Sequence, residues 1–397
     1  MKKIEKVSLD AKLLTLSMFF IFFAIETSFN VQSIIIPIVL AILFFIFRKR
    51  KIVITKPIIL LFVLLVIYTF SIAINAIRYS AFKEPLIQLL YYFTIFIWFA
   101  LMTQSEYSKK DITFFINSYI VLAVFMSIIL IFSNLFFKGY YFAITNLLGK
   151  TMEKNYFNAF LCLAPVLSYM KMLHTSKNKL IYIVATIVIL ISILYGNSRG
   201  ALLASLVGIF LATVNFYKKE INMKKIIFSI ILIFGLLIMI KPILSLIPDW
   251  MFNRYFVNSY ADKSNEDRVA RWENAFKGIK KQPILGFGPG IFGTLEKYRI
   301  TSYGKAINPS TPAHNTFLDV LLDSGIIGLA VYLSFLCAII IPLIKKNSGY
   351  IALVVSLVIT IGILGAGKSV YYWNTLILFQ IISVYYKNHE DVKEIIL

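Results

Sequence analysis

Cysteine and histidine are scarce in this 397-residue chain, at two and three residues. Cys162 and Cys337 both fall inside apolar runs, so no disulfide framework is expected. With one outer-face histidine and no cysteine cluster, no metal site and no cofactor is indicated either. Acidic residues are sparse too, 19 against 40 Lys and Arg. There is no ladder of carboxylates within apolar runs, no TVGYG-like filter and no Arg-rich span, which argues against ion-coupled pumps, potassium-type channels and voltage sensors. No internal repeat and no inverted pair of broken helices marks a common transporter plan.

What the chain has in excess is apolar surface. With 59% hydrophobic residues and a mean hydropathy of +0.81 it exceeds the composition of water-soluble globules. Runs close to the roughly 20 apolar residues needed for a crossing recur throughout. The expected fold class is an all-α polytopic membrane protein with about twelve spans: 12–28, 31–47, 57–75, 86–103, 112–133, 156–173, 179–196, 200–216, 226–247, 325–344, 349–366 and 370–386. Lys2, Lys3 and Lys6 flank the first like a signal peptide, but no small-residue cleavage pattern follows, so an uncleaved anchor is expected.

Cationic short loops stay in the cytoplasm. With the N-terminus inside, inner segments hold 22 of the 40 Lys and Arg and the short outer loops seven. The other 11 lie in one large outer segment, whose length exempts it from the rule. The net charge of +21 is therefore read as topology and contact with anionic membrane lipids, with no nucleic-acid partner. Three regions result: 1–240 with nine spans, the extracytoplasmic segment 241–313 between spans nine and ten, and 314–397 with a re-entry helix, three spans and a cytoplasmic tail. Loops that long are usually functional.

Within the outer segment, SNEDRVARWENAFKGIKK reads as an amphipathic helix. Ser264 and Asp267 fit a capping box, and Val269, Trp272, Phe276 and Ile279 form an apolar stripe with Arg268 and Arg271 along one edge. Pro283 ends it. PILGFGPGIFG follows; Gly288 and Gly290 there could cradle phosphate oxygens in an anion nest or simply make turns. A dinucleotide site is not expected, because the flanking strand that such a motif requires is missing.

His314 is the one histidine on the outer side; His174 and His389 fall in inner loops. An imidazole titrates near neutrality and suits proton removal from an attacking hydroxyl, the plainer alternative being a hydrogen-bonded interfacial histidine. Asp319 and Asp323, four apart, lie on the helix it opens. Arg199, in GNSRGALL at an outer mouth, carries a planar fork that matches phosphate oxygens, or else is an end-of-helix cation snorkelling to the interface. Arg199, Arg268 and Arg271 together with His314 suit a diphosphate-bearing substrate. Tyr255, Tyr260, Tyr298 and Tyr303 could contact sugar rings or belong to an interface belt. Glu26 is either an assisting carboxylate or an ordinary loop residue.

Four elements in order carry a resemblance: SRGALL with Arg199, the R-x-x-x-W of Arg268 and Trp272, PILGFGPGIF, and His314-Asn315 followed by Gly325 and Gly328. Over roughly residues 196 to 330 the chain resembles the O-antigen ligase and polysaccharide polymerase superfamily of GT-C type membrane glycosyltransferases. The resemblance implies a multi-pass protein of the bacterial cytoplasmic membrane with an outward-facing site. It implies transfer or polymerisation of an undecaprenyl-diphosphate-linked glycan onto a glycan, lipid or protein acceptor, alongside other polysaccharide-assembly proteins. In that scheme His314 activates the acceptor, and Arg199 and Arg268 hold the diphosphate. Arg271, Asn315, Gly288, Gly290 and Tyr298 are candidate substrate contacts, and the choice between Arg268 and Arg271 stays open, as does that between polymerase and ligase. The competing class is a flippase for lipid-linked oligosaccharides, which would carry its substrate-binding charges near the midplane of the spans.

Overall fold

Helix ends in the computed structural model follow local chemistry. It describes residues 6–19, parts of 38–46, 53–136, 154–175, 178–196, 198–218, 263–295, 301–302, 305–306, 313–365, 367, 369–392 and 394–397. Most of the expected span 31–47, all of 226–247 and much of the outer segment lie outside the described residues. After α1 (Leu9–Phe19), α2 (Lys56–Tyr79) carries Pro57 in its first turn, where a missing N–H is harmless. It stops at Ser80, whose left-handed backbone (φ 52°) lets the chain close the helix. Then come α3 (Lys83–Met102), α4 (Lys109–Phe136), α5 (Lys154–Leu161), α6 (Leu163–His174), α7 (Lys179–Tyr195) and α8 (Arg199–Tyr217). Ser198 caps α8 by accepting from the Ala201 N–H. Residues 241–313 contribute α9 (Lys263–Lys281) and a two-residue antiparallel pair, Thr301–Ser302 with Lys305–Ala306. α10 (Thr316–Lys346), α11 (Ile351–Leu364) and α12 (Val370–Asn388) complete the order.

Five described helices are long and apolar enough to cross a membrane: α2, α3, residues 109–132 of α4, α8 and α10. α7 and Ser348–Leu364 are shorter apolar helices. One stripe of α2, including Ile59, Phe62, Val66, Phe70 and Ile77, is exposed, while Leu61, Leu64, Tyr68, Ser71 and Asn75 are buried. An apolar outer stripe over a polar-dotted inner one fits a polytopic membrane protein, with lipid as the outer solvent.

One span differs from expectation. The apolar run 156–173 is divided at Cys162 into α5 and α6. Pro165 explains the break, since its ring excludes the carbonyl of Leu161 four residues earlier and it has no N–H to offer. α10 begins at Thr316, where the helix opened by His314 was expected, with Asn315 as its cap, and its kink at Gly325 falls at the start of the expected span 325–344.

Small residues let the helices approach. Gly200, Ala204, Gly208 and Ala212 recur every four residues as a buried stripe on α8, and a side chain at Gly208 would run into Val166 of α6 and Ser356 of α11. Buried polar groups add ties: Trp98 Nε1 donates to Asn374 Oδ1 (2.8 Å), and Asn374 Nδ2 to Ser17 Oγ (2.7 Å), linking α3, α12 and α1.

The bundle has two distinct ends. At one, the C-terminal residues pack under the helix ends, with Lys109 paired to Glu394 and the Tyr350 hydroxyl bonded to the main chain of Ile396 (2.9 Å). At the other, α8 and α10 begin, α11 stops, and α9 lies across. There α10 is broken at Gly325 (φ 63°, ψ −168°). The residues after α9 occupy the break: Phe287 and Gly288 N–H groups donate to the carbonyls of Leu322 (2.9 Å) and Asp323 (2.8 Å), while Pro283 accepts from Ile326 (2.9 Å). Main-chain groups freed by the kink are thus satisfied by a neighbouring run of turns. Only glycine fits, since a Cβ at Gly325 would sit 2.1 Å from the Ile284 carbonyl oxygen, and one at Gly286 2.5 Å from the Asp323 main chain. Ser71 and Asn75 of α2 hold the same segment through the carbonyls of Leu285 (2.6 Å) and Gly286 (3.2 Å).

Candidate active site

The site is built around a strained turn. His314 has φ 49°, a left-handed conformation uncommon for a residue with a side chain, and it must be held there by its surroundings. Three elements do so. On one side Asp319, in the first turn of α10, accepts from the Ala313 N–H through Oδ1 (3.1 Å). On the other, Trp272 of α9 donates its indole N–H to the Ala313 carbonyl (2.9 Å). From below, Gly365 at the end of α11 (φ 63°) lies so close that a Cβ would be 2.7 Å from the His314 Cα. Next to this, Thr316 Oγ1 accepts from the Gly367 N–H (3.0 Å), binding the start of α10 to the turn after α11.

These contacts bring the cations' helices to the histidine. Arg268 is one helical turn before Trp272 and so shares its flank, whereas Arg271 is rotated about 100° away; both are half-buried. Arg199 opens α8, also half-buried. Its neighbour Gly200 packs on Ile363 and Leu364, the residues just before Gly365, which in turn packs on His314. The main chains of Arg199 and His314 are therefore separated by one layer of chain at the same end of the bundle.

The other candidates sit as follows. Asn315 Oδ1 accepts from the Phe317 and Leu318 N–H groups (3.0 and 3.2 Å), serving as the cap of α10. Gly288 and Gly290 pack against α2 and α3, where a Cβ would lie 2.9 Å from Ile72 N and from Gln88 Cγ respectively. Their observed role is close helix approach. Tyr298, along with Tyr255, Tyr260, Tyr303 and Glu26, lies outside the described residues. His174 and His389 belong to the opposite end: His174 meets Phe216 near the end of α8, and His389 stacks on Tyr385. Seventeen residues of α8 separate Phe216 from Arg199, about 25 Å.

The apolar stripe of α9 behaves differently from the usual amphipathic pattern. Val269, Trp272 and Phe276 are 52%, 37% and 48% exposed, and the helix is seated on Ala275 and Gly278 with half-buried Ile279, the fourth residue of the stripe, packed beside them. A Cβ added to Gly278 would collide with Leu322 and Phe292.

Beneath the turn is a cavity of about 20 Å³ bounded by Tyr68, Tyr92, Thr316, Asp319, Tyr332 and Gly365, among others. It has room for about one water. Among the described residues no three His, Cys, Asp or Glu side chains gather as a metal site would require. Two participants were not evident in the sequence. Trp272 reads there as part of an apolar stripe, although its position in R-x-x-x-W was a signal; Gly365 gave no signal beyond being one of 18 glycines.

A family model described as O-Antigen ligase matches residues 184–333, which contain Arg199, Arg268, Arg271, Gly288, Gly290, Tyr298, His314 and Asn315. The chain is also 27% identical over 172 residues to a ComP-specific O-oligosaccharyltransferase of Acinetobacter baylyi. That alignment covers 42% of this chain and 30% of the relative, so only about a third of the relative's length is spanned. Both findings are similarities of part of the chain, and the stretch that resembles the O-Antigen ligase family model is the one that holds Arg199, Arg268, Arg271 and His314.

Proposed function

We propose that the chain transfers a glycan from an undecaprenyl-diphosphate-linked donor to an acceptor hydroxyl at the outer face of the bacterial cytoplasmic membrane. One observation carries this reading: the Trp272–Ala313 hydrogen bond ties the arginine-bearing α9 to the strained His314 turn. His314 takes the proton from the acceptor hydroxyl, whose oxygen attacks the anomeric carbon. The bond from that carbon to the diphosphate oxygen breaks, and the lipid diphosphate leaves. Arg268 and Arg199, with Arg271 as a helper, hold the developing negative charge, a role that fixed cations perform well where water is partly excluded. The guanidinium fork matches two phosphate oxygens at once.

The acceptor is a hydroxyl on a growing glycan, a lipid or a protein. The relative's name, ComP-specific O-oligosaccharyltransferase, fits transfer of an oligosaccharide to an acceptor oxygen. Purified chain in vesicles with radiolabelled lipid-linked glycan tests the reading. A new glycosidic bond formed in step with release of undecaprenyl diphosphate supports it; glycan crossing the bilayer with its lipid linkage intact would replace it with a flippase. Product size separates ligation from polymerisation, since one transfer adds one glycan whereas polymerisation gives a ladder.

A further inference from the structure

α9 divides into three faces. Ala275 and Gly278, with half-buried Arg268 and Arg271 beside them, face the protein. Val269, Trp272 and Phe276 form an exposed apolar face, and Glu273, Lys277 and Lys280 an exposed charged one. A helix covered by protein on one side and by water on the other would need only two faces. A third, apolar and unburied, calls for a third medium.

We infer that α9 lies in the outer bilayer interface, with Val269, Trp272 and Phe276 in the acyl-chain boundary and Lys277 and Lys280 among anionic headgroups. Three features point to lipid as the occupant. First, the apolar surface continues into the bundle's lipid-facing wall: Ile284, 60% exposed, lies just past α9, and its carbonyl accepts from the N–H of Ile327 (3.4 Å) beside exposed Ile326. Second, the indole of Trp272 is bonded at its N–H while 37% of the residue stays exposed, the amphipathic arrangement favoured at membrane interfaces. Third, lysines flanking an apolar face match an anionic surface, and their stems can lie along apolar surface while the ammonium stays in the headgroups. This seating needs no assumption about the reaction, yet it sets Arg268 and Arg271 at headgroup height.

Depth measurement tests it. Nitroxide labels are placed at Phe276→Cys, Val269→Cys and Glu273→Cys in the Cys337→Ser chain, Cys162 being buried. The chain is reconstituted in phosphatidylethanolamine with phosphatidylglycerol. Labels at 276 and 269 should relax more with oxygen than with an aqueous nickel complex, and the label at 273 the reverse. Greater nickel access at 276 and 269 would put that face in water, and shielding from both reagents would put protein over it; either overturns the inference. Replacing Lys277 and Lys280 by Gln should make the label at 276 shallower in anionic vesicles, to its depth in phosphatidylcholine. An unchanged depth would overturn the headgroup contact.

Discussion

The indole N–H of Trp272 donates to the main-chain carbonyl of Ala313 at 2.9 Å, and the next residue is His314 in a left-handed conformation. A tryptophan half-exposed at the rim thus fixes the turn that presents the histidine. It also joins the helix carrying Arg268 to that turn, so base and cation share one anchor.

Trp272→Phe keeps the ring and removes the donor. Leaving the carbonyl unpaired costs about 1–3 kcal/mol. If that cost falls on the turn, glycan transfer drops roughly 5- to 160-fold, while membrane abundance stays near that of the parent chain. Initial rates of labelled product, normalised to protein, check this; an unchanged rate would make the bond incidental.

Asp319 is expected to respond to the atom retained at its acceptor position. Asp319→Asn keeps an oxygen able to accept from the Ala313 N–H and should hold most activity, whereas Asp319→Ala should lose activity by more than its change in thermal stability accounts for. Equal losses in both would assign Asp319 a role other than holding the turn.

Glycine positions separate fold from site. Gly325→Ala drives a Cβ into the Ile284 carbonyl and should abolish folded protein in the membrane. Gly365→Ala meets the His314 main chain at 2.7 Å in a left-handed conformation, and should cut transfer with a smaller loss of folded protein. Gly362→Ala, whose Cβ meets only Phe317 at 3.8 Å, should be silent. Fluorescence-detected size exclusion gives the folded fraction.

Arg268 and Arg271 are told apart by their flank on α9. Because Arg268 lies beside Trp272, Arg268→Ala should lower transfer more than Arg271→Ala, and Arg268→Lys should recover only part, since an ammonium keeps charge without the planar fork. Donor titrations of each variant measure this; the reverse ranking would exchange their roles.

Much of the architecture was legible because apolar run length and caps are local signals. The long helices, α9 and the opening of α10 at Asn315 follow from such signals. The break at Cys162 was legible in principle from Pro165, but hydropathy alone averages across it. The glycine run was harder. Its turns were visible, yet Gly286 and Gly325 matter because two main chains nearly touch there, and such contact between distant segments leaves no periodicity in either. Likewise Trp272 was legible as apolar, whereas the hydrogen bond that gives it a place beside His314 depends on how α9 docks. The exposed stripe on α9 shows the limit of amphipathic reasoning near a bilayer: periodicity reveals an apolar face without saying whether protein or lipid covers it.

The most direct measurement is the transfer rate of purified His314→Ala in vesicles supplied with labelled lipid-linked glycan, beside the parent chain at equal folded protein. Removal of a general base predicts a loss of about 10²- to 10⁴-fold with donor binding retained. Undiminished glycosidic product would contradict the account, because the turn held by Trp272, Asp319 and Gly365 would then present a side chain that the reaction does not use.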